Sequence, residues 1–271
     1  MMKVAYLGPQ GTFSEEAATR YFADKETEFW MFDSIPDVVE AIGECRVDKA
    51  IVPLENTIEG TINMTIDSLI SYEQLFIEGE YILPVSLQLL ANKGTIRSDI
   101  KEAWSISPIL TQCRKYIRSH HMKSVQYDSS ASAAKAMQLS GRTDVAAIGP
   151  RSLASLLNLD ILERDIQDNP DNQTRFIIVG NDRLRDQETK KTMFVITPGQ
   201  DQPGLLSAIL NIFAALSINL SWIESRPTTT KLGVYRFFLE ANQMCSLETV
   251  NKAVTILETL GHDVRIIGRY Q

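Results

Sequence analysis

The residues best suited to chemistry are Thr174, Arg175 and Phe176, which stand directly before an apolar run at 177–179. A hydroxyl can donate and accept hydrogen bonds, and the planar fork of a guanidinium can bind both oxygens of a carboxylate. The same arrangement is typical of an ordinary loop that leads into a strand. The rest of the chain has to decide between a carboxylate site and a plain connection.

A second polar group, Glu55-Asn56-Thr57, follows the apolar segment 49–54, which we expect to be a strand. Burial raises the pKa of a carboxyl group, so a buried Glu55 would be suited to acid chemistry. The alternative is a solvated acid in a turn.

A third polar group, Gln10-Gly11-Thr12, follows the predicted first strand at 3–7. Thr12 and Glu15 have the spacing of a capping box, so this loop is expected to begin a helix whose free N–H groups can hold an anion. The Gly-Lys-Ser/Thr ending of a phosphate-binding P-loop is missing. Because ligands of open α/β sheets gather at the carboxyl ends of strands, we expect this loop and Glu55 to share a cleft.

Strand, polar loop and helix alternate through residues 1–180, which predicts an α/β fold with a second lobe at roughly 80–165. Within that second lobe, Ser129 and Ser130 begin a predicted helix. Serines at helix starts are commonly caps, and they can equally bind a carboxylate.

The length of 271 residues favours two domains, and the net charge of −7 argues against a nucleic-acid-binding or anionic-membrane surface. Three widely separated cysteines, Cys45, Cys113 and Cys245, indicate neither disulfides nor zinc and are expected to be small buried apolar residues. No transmembrane run or signal segment is recognisable. We therefore predict a cytoplasmic protein without a metal or cofactor.

The pattern changes after a polar linker at 181–191. Residues 192–271 follow the order βαββαβ, which is the ferredoxin-like plan. Gly204 follows Pro203 at a helix start, where a ligand or another backbone can approach closely. The segments 219–220 and 224–226 lie around the strand that follows this helix and are candidates for the same ligand site. For segment 224–226, the alternative is a rigid turn before Pro227.

Segments 8–14, 53–60, 174–176 and 224–227, in this order and spacing, closely resemble the prephenate dehydratases. The resemblance covers essentially the whole chain. It implies a two-lobed catalytic domain at 1–180, similar to type II periplasmic binding proteins, and a C-terminal ACT regulatory domain at 192–271. It also implies conversion of prephenate to phenylpyruvate with release of carbon dioxide and water, commonly with inhibition by phenylalanine. The monofunctional form is expected, since no chorismate mutase segment precedes Met1.

The resemblance also assigns roles to residues. Thr174 corresponds to the family threonine at the reacting ring, and the catalytic group is expected to be Thr174, Glu55 and Arg175. Thr57 stands where serine is usual, and Ser105-Ile106-Ser107-Pro108 departs from the common Ser-His-Pro-Gln. The expected substrate-binding residues are Gln10, Gly11, Thr12, Asn56, Thr57, Ser129, Ser130 and Phe176. The expected effector-binding residues are Pro203, Gly204, Leu205, Leu206, Asn219, Leu220, Glu224, Ser225 and Arg226.

Prephenate is a dianion, and an acidic protein must bind it where donors are concentrated, which Arg175 and the helix starts at Thr12 and Ser130 could provide. We expect Thr174 to donate a hydrogen bond to the departing ring hydroxyl, and Glu55 to be a proton reservoir or an orienting group. Leu205 and Ser207 replace smaller or apolar residues of the usual Gly-Ala-Leu-Val, which leaves the effector open. Two alternatives remain, an arogenate dehydratase and a non-catalytic amino-acid sensor. Pairing of ACT domains predicts a homodimer or homotetramer.

Overall fold

The computed structural model describes residues 1–182, 190–200, 202–228, 233–242 and 246–271. Most of the predicted linker and Cys245 lie outside these ranges. Cys113 is buried as expected, but Cys45 is exposed, so the prediction for Cys45 is wrong. Cys45 follows helix 35–43 in a left-handed turn with φ 57°, outside the packed face of that helix. Within the described ranges, no helix is long and apolar enough to cross a membrane.

The first lobe is built on strands whose order is β5-β11-β3-β1-β2, with the short β4 beside β3. β11 runs antiparallel between β5 and β3, whereas β1, β2 and β3 are parallel. β11 is therefore a central strand, although it comes from the far end of the domain. The elements are β1 (Met2–Leu7), α1 (Phe13–Tyr21), β2 (Thr27–Phe32), α2 (Ile35–Gly43), β3 (Lys49–Asn56), β4 (Gly60–Thr61), α3 (Asn63–Leu69), β5 (Phe76–Pro84) and β11 (Gln173–Gly180).

The second lobe has its own sheet, with the strand order β10-β6-β9-β7-β8. β5 continues in the first sheet to Pro84, and the second sheet begins with β6. Its elements are β6 (Gln88–Ala91), a 3₁₀ turn (Arg97–Asp99), β7 (Glu102–Ser105), α4 (Ser107–Gln112), α5 (Arg114–Ser119), β8 (Lys123–Gln126), α6 (Ser130–Ser140), β9 (Val145–Gly149), α7 (Arg151–Leu156) and β10 (Asp160–Glu163).

The C-terminal domain has the predicted βαββαβ order, and its strands are arranged β13-β14-β12-β15. Leu205, Ile209 and Phe213 recur at helical spacing on one buried face and pack onto the sheet beside Val250 and Leu257 of the second helix. The elements are β12 (Lys191–Thr197), α8 (Leu205–Ala215), β13 (Leu220–Pro227), β14 (Tyr235–Asn242), α9 (Leu247–Thr259) and β15 (Asp263–Tyr270).

The helix-free face of the C-terminal sheet packs onto the first lobe. Met193, Phe238 and Tyr270 share one hydrophobic cluster with Val38 of α2 and Ile66 of α3. In addition, β15 pairs with β5 at Gly268 and Ile77, so the two sheets continue into each other. Only β5 separates β11 from the C-terminal domain along this sheet.

Candidate active site

A β-bulge decides which side chains of β3 and β11 share a face. Arg175 pairs with Glu55, whereas the next residue of β11, Phe176, pairs with Pro53, so Leu54 is the extra residue. Residues paired directly across two strands lie on one face. Thr174 and Asn56 therefore share one face, while Arg175 and Glu55 share the opposite face. The bulge separates the two groups that were expected to act together.

The hydroxyl of Thr174 is held by an amide of fixed orientation. Asn56 Nδ2 lies 3.0 Å from Thr174 Oγ1, and Asn56 Oδ1 accepts hydrogen bonds from the backbone N–H groups of Ile58 and Glu59 at 2.9 and 3.2 Å. These two backbone donors require oxygen at that position, so the NH₂ group faces Thr174. Thr174 Oγ1 thus accepts a hydrogen bond from Asn56, and its own proton is free to be donated in another direction.

Two residues that sequence reasoning missed extend this network to the second lobe. Asn172, which is 1% exposed, accepts from Asn56 Nδ2 at 2.9 Å and from Thr57 Oγ1 at 3.1 Å. It donates through Nδ2 to Gln112 Oε1 on α4 at 2.9 Å. Asn172 lies two residues before Thr174 in the same polar stretch, which was a usable signal for it. Gln112 carried no local signal, because its role depends on the docking of the two lobes.

Arg175 points away from Thr174 and towards the C-terminal domain. It is 7% exposed, and its Nε donates to Glu80 Oε2 at 2.7 Å. Its Nη2 donates to Glu240 and, at 3.0 Å, to the Tyr270 hydroxyl. Glu55 lies 3.5 Å from Nη1 and is about one third exposed. This geometry does not support the predicted substrate clamp, since the protein's own carboxylates already surround the guanidinium.

Burial and charge pairing oppose each other in this cluster. Burial alone lowers the pKa of Arg175, but Tyr270, Glu240 and Glu80 raise that pKa above its ordinary value overall. Burial raises the pKa of Glu240, but Arg175, Tyr270 and Ser221 lower that pKa below its ordinary value overall. Arg175 and Glu240 are therefore an ionised pair in the folded protein.

Phe176 is also placed differently from the expectation. It is 1% exposed and belongs to a core cluster with Val4, Tyr6 and Phe22, beneath helix α1. Alternation along β11 puts it on the Thr174 face but one step deeper in the sheet. Phe176 packs behind the site in this core cluster, and its burial does not support the predicted contact with substrate.

The first loop forms the predicted helix start, but a carboxylate of the protein itself, that of Glu15, binds where an anion was expected. Thr12 is the N-cap of α1, and its Oγ1 accepts from the Glu15 N–H at 3.5 Å. The Glu15 carboxylate turns back and accepts from the Gly11 N–H at 2.6 Å and from the Tyr6 hydroxyl at 3.3 Å. Burial, followed by the charge of Glu15, raises the pKa of Tyr6 to about 12. Gln10 is exposed at the tip of the loop.

This loop touches the second lobe. Gly11 has φ +82°, and a Cβ there would collide with Leu153 of α7, so only glycine fits without strain. Ser152 Oγ donates to the Gly11 carbonyl at 3.3 Å. Leu153 also lies against Gly149, next to Ser130 at the start of α6. Gly11 and Ser130 are thus brought to the same part of the cleft.

Ser129 and Ser130 have different environments. Ser129 is the N-cap of α6, and its hydroxyl accepts from the Ser132 N–H at 2.9 Å in a capping box, which is the simpler of the two expected roles. Ser130 is 5% exposed. The segment that departs from the family pattern is also structural in part, because buried Ser105 donates to the Ile148 carbonyl at 2.6 Å.

The predicted effector residues divide between two places. Leu205 and Ser225 line a cavity of about 270 Å³ on the helix side of the C-terminal sheet. Arg226 instead points to the first lobe, where it binds Asp67 of α3 through both Nε, at 3.0 Å, and Nη2, at 2.5 Å. Gly204 has φ +82° at the start of α8. The cavity of about 270 Å³ is lined by Pro198, Gly199, Gln200, Leu205, Ser225, Val234, Tyr235 and Phe237.

Comparison with known proteins places this arrangement in a family. Residues 4–184 match the family described as prephenate dehydratase, and residues 199–243 match the ACT domain. A protein of Bacillus subtilis strain 168 named prephenate dehydratase is 37% identical, and the match covers 100% of this chain and 99% of that protein.

Two solved structures resemble the whole chain. The prephenate dehydratase of Staphylococcus aureus Mu50 superposes with a TM-score of 0.88 at 38% identity, over 100% of both chains. That of Arthrobacter aurescens, in complex with L-Phe, superposes with a TM-score of 0.89 at 32% identity, over 99% of this chain and 89% of that one. The expected catalytic and ACT domains are thereby confirmed, and the chain belongs to the prephenate dehydratase family.

Proposed function

We propose that this protein converts prephenate to phenylpyruvate, with loss of carbon dioxide and water, as a step of phenylalanine biosynthesis. The observation that carries the proposal is the Thr174 hydroxyl, which an oriented Asn56 amide holds at a polar seam between the two lobes. Family membership supplies the reaction, and this hydroxyl supplies a donor in the place where the reaction needs one.

The chemistry requires little beyond orientation and one donor. The bond from the ring to its carboxylate breaks, and the electron pair of that bond enters the ring as carbon dioxide leaves. The ring carbon–oxygen bond breaks with its electron pair on oxygen, which takes up a proton and departs as water. Aromatisation drives both losses. A hydrogen bond from Thr174 to the departing oxygen stabilises the negative charge that develops there.

The Asn56 contact explains how Thr174 is oriented for this role. Because Asn56 donates to Thr174 Oγ1, the hydroxyl proton must point elsewhere, and the hydroxyl becomes a better donor when it also accepts. We propose that Asn56 and Thr57 orient the ring, while Gln10, Gly11, Thr12, Ser129 and Ser130 lie around the substrate carboxylates across the cleft. A poorly solvated ring carboxylate is then favoured to leave as carbon dioxide.

Glu55 fits an indirect role better than proton transfer. Its side chain lies on the face opposite Thr174, 3.5 Å from the Arg175 guanidinium. We propose that Glu55 helps to fix the end of β3, and that the proton of the departing water comes from solvent through Thr174.

We propose L-phenylalanine as the effector, bound in the 270 Å³ cavity of the C-terminal domain. The cavity combines apolar walls at Leu205 and Phe237 with polar groups at Gln200 and Ser225, which suits an aromatic amino acid. We also propose a homodimer or homotetramer formed through ACT domains, and a cytoplasmic location.

The test is phenylpyruvate formation from prephenate by purified protein, followed by absorbance in alkali, with arogenate as a parallel substrate and phenylalanine titrated by calorimetry. Turnover of prephenate supports the proposal. Turnover of arogenate alone assigns the related dehydratase, and phenylalanine binding without turnover of either substrate assigns a sensor.

A further inference from the structure

The side chain next to Thr174 is tied to the C-terminal domain. Arg175 binds Glu240 of β14 and the hydroxyl of Tyr270, the second-last residue of the chain. Tyr270 in turn donates to Glu240 Oε2 at 2.5 Å, and Ser221 of β13 donates to Glu240 Oε1 at 2.8 Å. The Arg175 guanidinium therefore joins the strand of Thr174 to Glu240 and Tyr270 directly, and to Ser221 through Glu240.

The cluster is buried and nearly balanced in charge. Glu240 and Tyr270 are each 1% exposed, and Lys191 binds Glu80 at 2.8 Å on the other side of Arg175. Arg175 and Lys191 thus face the buried carboxylate of Glu240 and the partly buried carboxylate of Glu80, with Glu55 at the rim. A buried pair of this kind adds little net stability, but loss of one partner is costly because it leaves a charge uncompensated. Arg175 and Glu240 are therefore held close to each other in the folded protein.

The same strand that carries Glu240 also lines the proposed effector cavity. Tyr235 and Phe237 of β14 face that cavity, and Glu240 lies three residues beyond Phe237. At about 3.3 Å per residue, the separation is roughly 10 Å along the strand. Side chains of β14 alternate, so the cavity and Glu240 lie on opposite faces of one strand. A displacement of β14 at the cavity is transmitted to Glu240 without an intermediate element.

A space at the junction leaves room for such a displacement. Arg175, Glu240, Lys191 and Trp222 line a cavity of about 430 Å³ between the first lobe and the C-terminal sheet. Glu55 lies at the same cavity, on the end of β3 that also carries Asn56. A shift of the guanidinium acts on both strands that hold the candidate active site.

We propose that Arg175 is a positioning residue through which the C-terminal domain sets the place of Thr174, and that Glu240 is its counterpart in that domain. The inference rests on the proposed function. Arg175 does not bind substrate; it holds the end of β11 so that the Thr174 hydroxyl meets the departing group. Phenylalanine in the cavity of about 270 Å³ acts by moving β14, Glu240 and then Arg175.

Three variants separate this role from a clamp and from simple structural support. Arg175→Met removes the link and leaves Glu240 with Lys191, at 3.7 Å, as its remaining cationic partner. The double variant Arg175→Met/Glu240→Gln removes both charges, leaves the Glu80–Lys191 pair intact, and keeps an amide to bond Tyr270 and Ser221. Arg142→Met is the matched control, because Arg142 binds Glu102 and Asp144 in the second lobe, away from the site.

We expect Arg175→Met to lower kcat by about 10- to 100-fold with KM changed by less than about threefold, as for a misplaced catalytic group. The double variant should regain thermal stability relative to Arg175→Met. It should not regain kcat, and its half-inhibitory phenylalanine concentration should rise by about fivefold or more, although calorimetry still detects phenylalanine binding. Arg142→Met should keep wild-type kcat and inhibition.

Three results would contradict the inference. A raised KM at unchanged kcat in Arg175→Met would identify a substrate clamp. Recovery of kcat and of inhibition together with stability in the double variant would identify mere structural support. Absence of prephenate turnover by the wild type would instead refute the proposed function. If the wild type is active and phenylalanine inhibits the double variant as it inhibits the wild type, only the coupling between the C-terminal domain and Thr174 is refuted.

Discussion

Replacement of Thr174 by valine is the sharpest perturbation of the candidate site, because valine keeps the shape of threonine and removes only the hydroxyl. In the folded protein this deletes the hydrogen bond from Asn56 Nδ2 to Thr174 Oγ1. Asn56 Nδ2 also lies 3.0 Å from the Gln173 carbonyl and 2.9 Å from Asn172 Oδ1. The amide therefore keeps partners, and the loss of stability should be at the low end for one hydrogen bond, about 0.5 kcal/mol.

The expected loss of activity is much larger. A positioned group that assists proton movement contributes about 10²-fold or more to the rate, and 10²-fold corresponds to roughly 2.7 kcal/mol of transition-state stabilisation. The Thr174 hydroxyl acts on the departing oxygen only as charge develops there, so kcat should fall by about 10²-fold while KM stays nearly constant. The comparison of about 2.7 with about 0.5 kcal/mol separates catalysis from folding.

The assay measures initial rates of phenylpyruvate formation over a range of prephenate concentrations, together with thermal unfolding of the same preparations. Thr174→Ser is the control, since it keeps a hydroxyl and should retain kcat within about tenfold of the wild type. Unchanged kcat in Thr174→Val, or an equal loss in Thr174→Ser, would refute the assignment.

Three other outcomes follow from the geometry. Glu55→Gln should lower kcat by less than about tenfold, because Glu55 lies on the face opposite Thr174; a 10³-fold loss in steady-state kinetics would restore it as the proton donor. In Arg226→Lys, the lysine cannot bind both oxygens of Asp67, so inhibition by phenylalanine should weaken at unchanged kcat. An inhibition curve identical to that of the wild type would show that this contact carries no coupling. The folded state lowers the pKa of Glu240 below its ordinary 4.5, so the pair stabilises the protein above that pH and its contribution is lost as the pH falls below it. Urea unfolding should therefore show that the free energy of unfolding falls more between pH 7 and about pH 4 for the wild type than for Glu240→Gln. Equal decreases in the two proteins would contradict the ionised pair.

Much of the fold was predictable because local patterns determine it. Helical spacing in α8 and α9, and alternation in the strands between them, were sufficient for the C-terminal domain. The sequence predicts the start of the second lobe only roughly, because the strand that ends at Pro84 is apolar throughout its last part and carries no mark of the sheet to which it belongs.

The candidate site was predictable by residue type but not by direction. Thr174 and Asn56 were identified from their motifs, whereas the direction of Glu55 depends on the bulge at Leu54. The adjacent Pro53 is a local signal of a bulge, but it does not say to which face Glu55 turns. Arg175 suited a carboxylate, as expected, but its partner Glu240 is 65 residues away along the chain. Sequence reasoning could assign the chemistry of that guanidinium and had no means to choose between a substrate and another domain.

Incubation of the purified protein with prephenate, followed by measurement of phenylpyruvate, is the decisive experiment, with Thr174→Val measured beside the wild type. We expect saturable formation of phenylpyruvate by the wild type and about 10²-fold slower turnover by the variant at similar KM. Phenylpyruvate formation no faster than that of a protein-free control, in a wild-type protein shown to be folded, would contradict it.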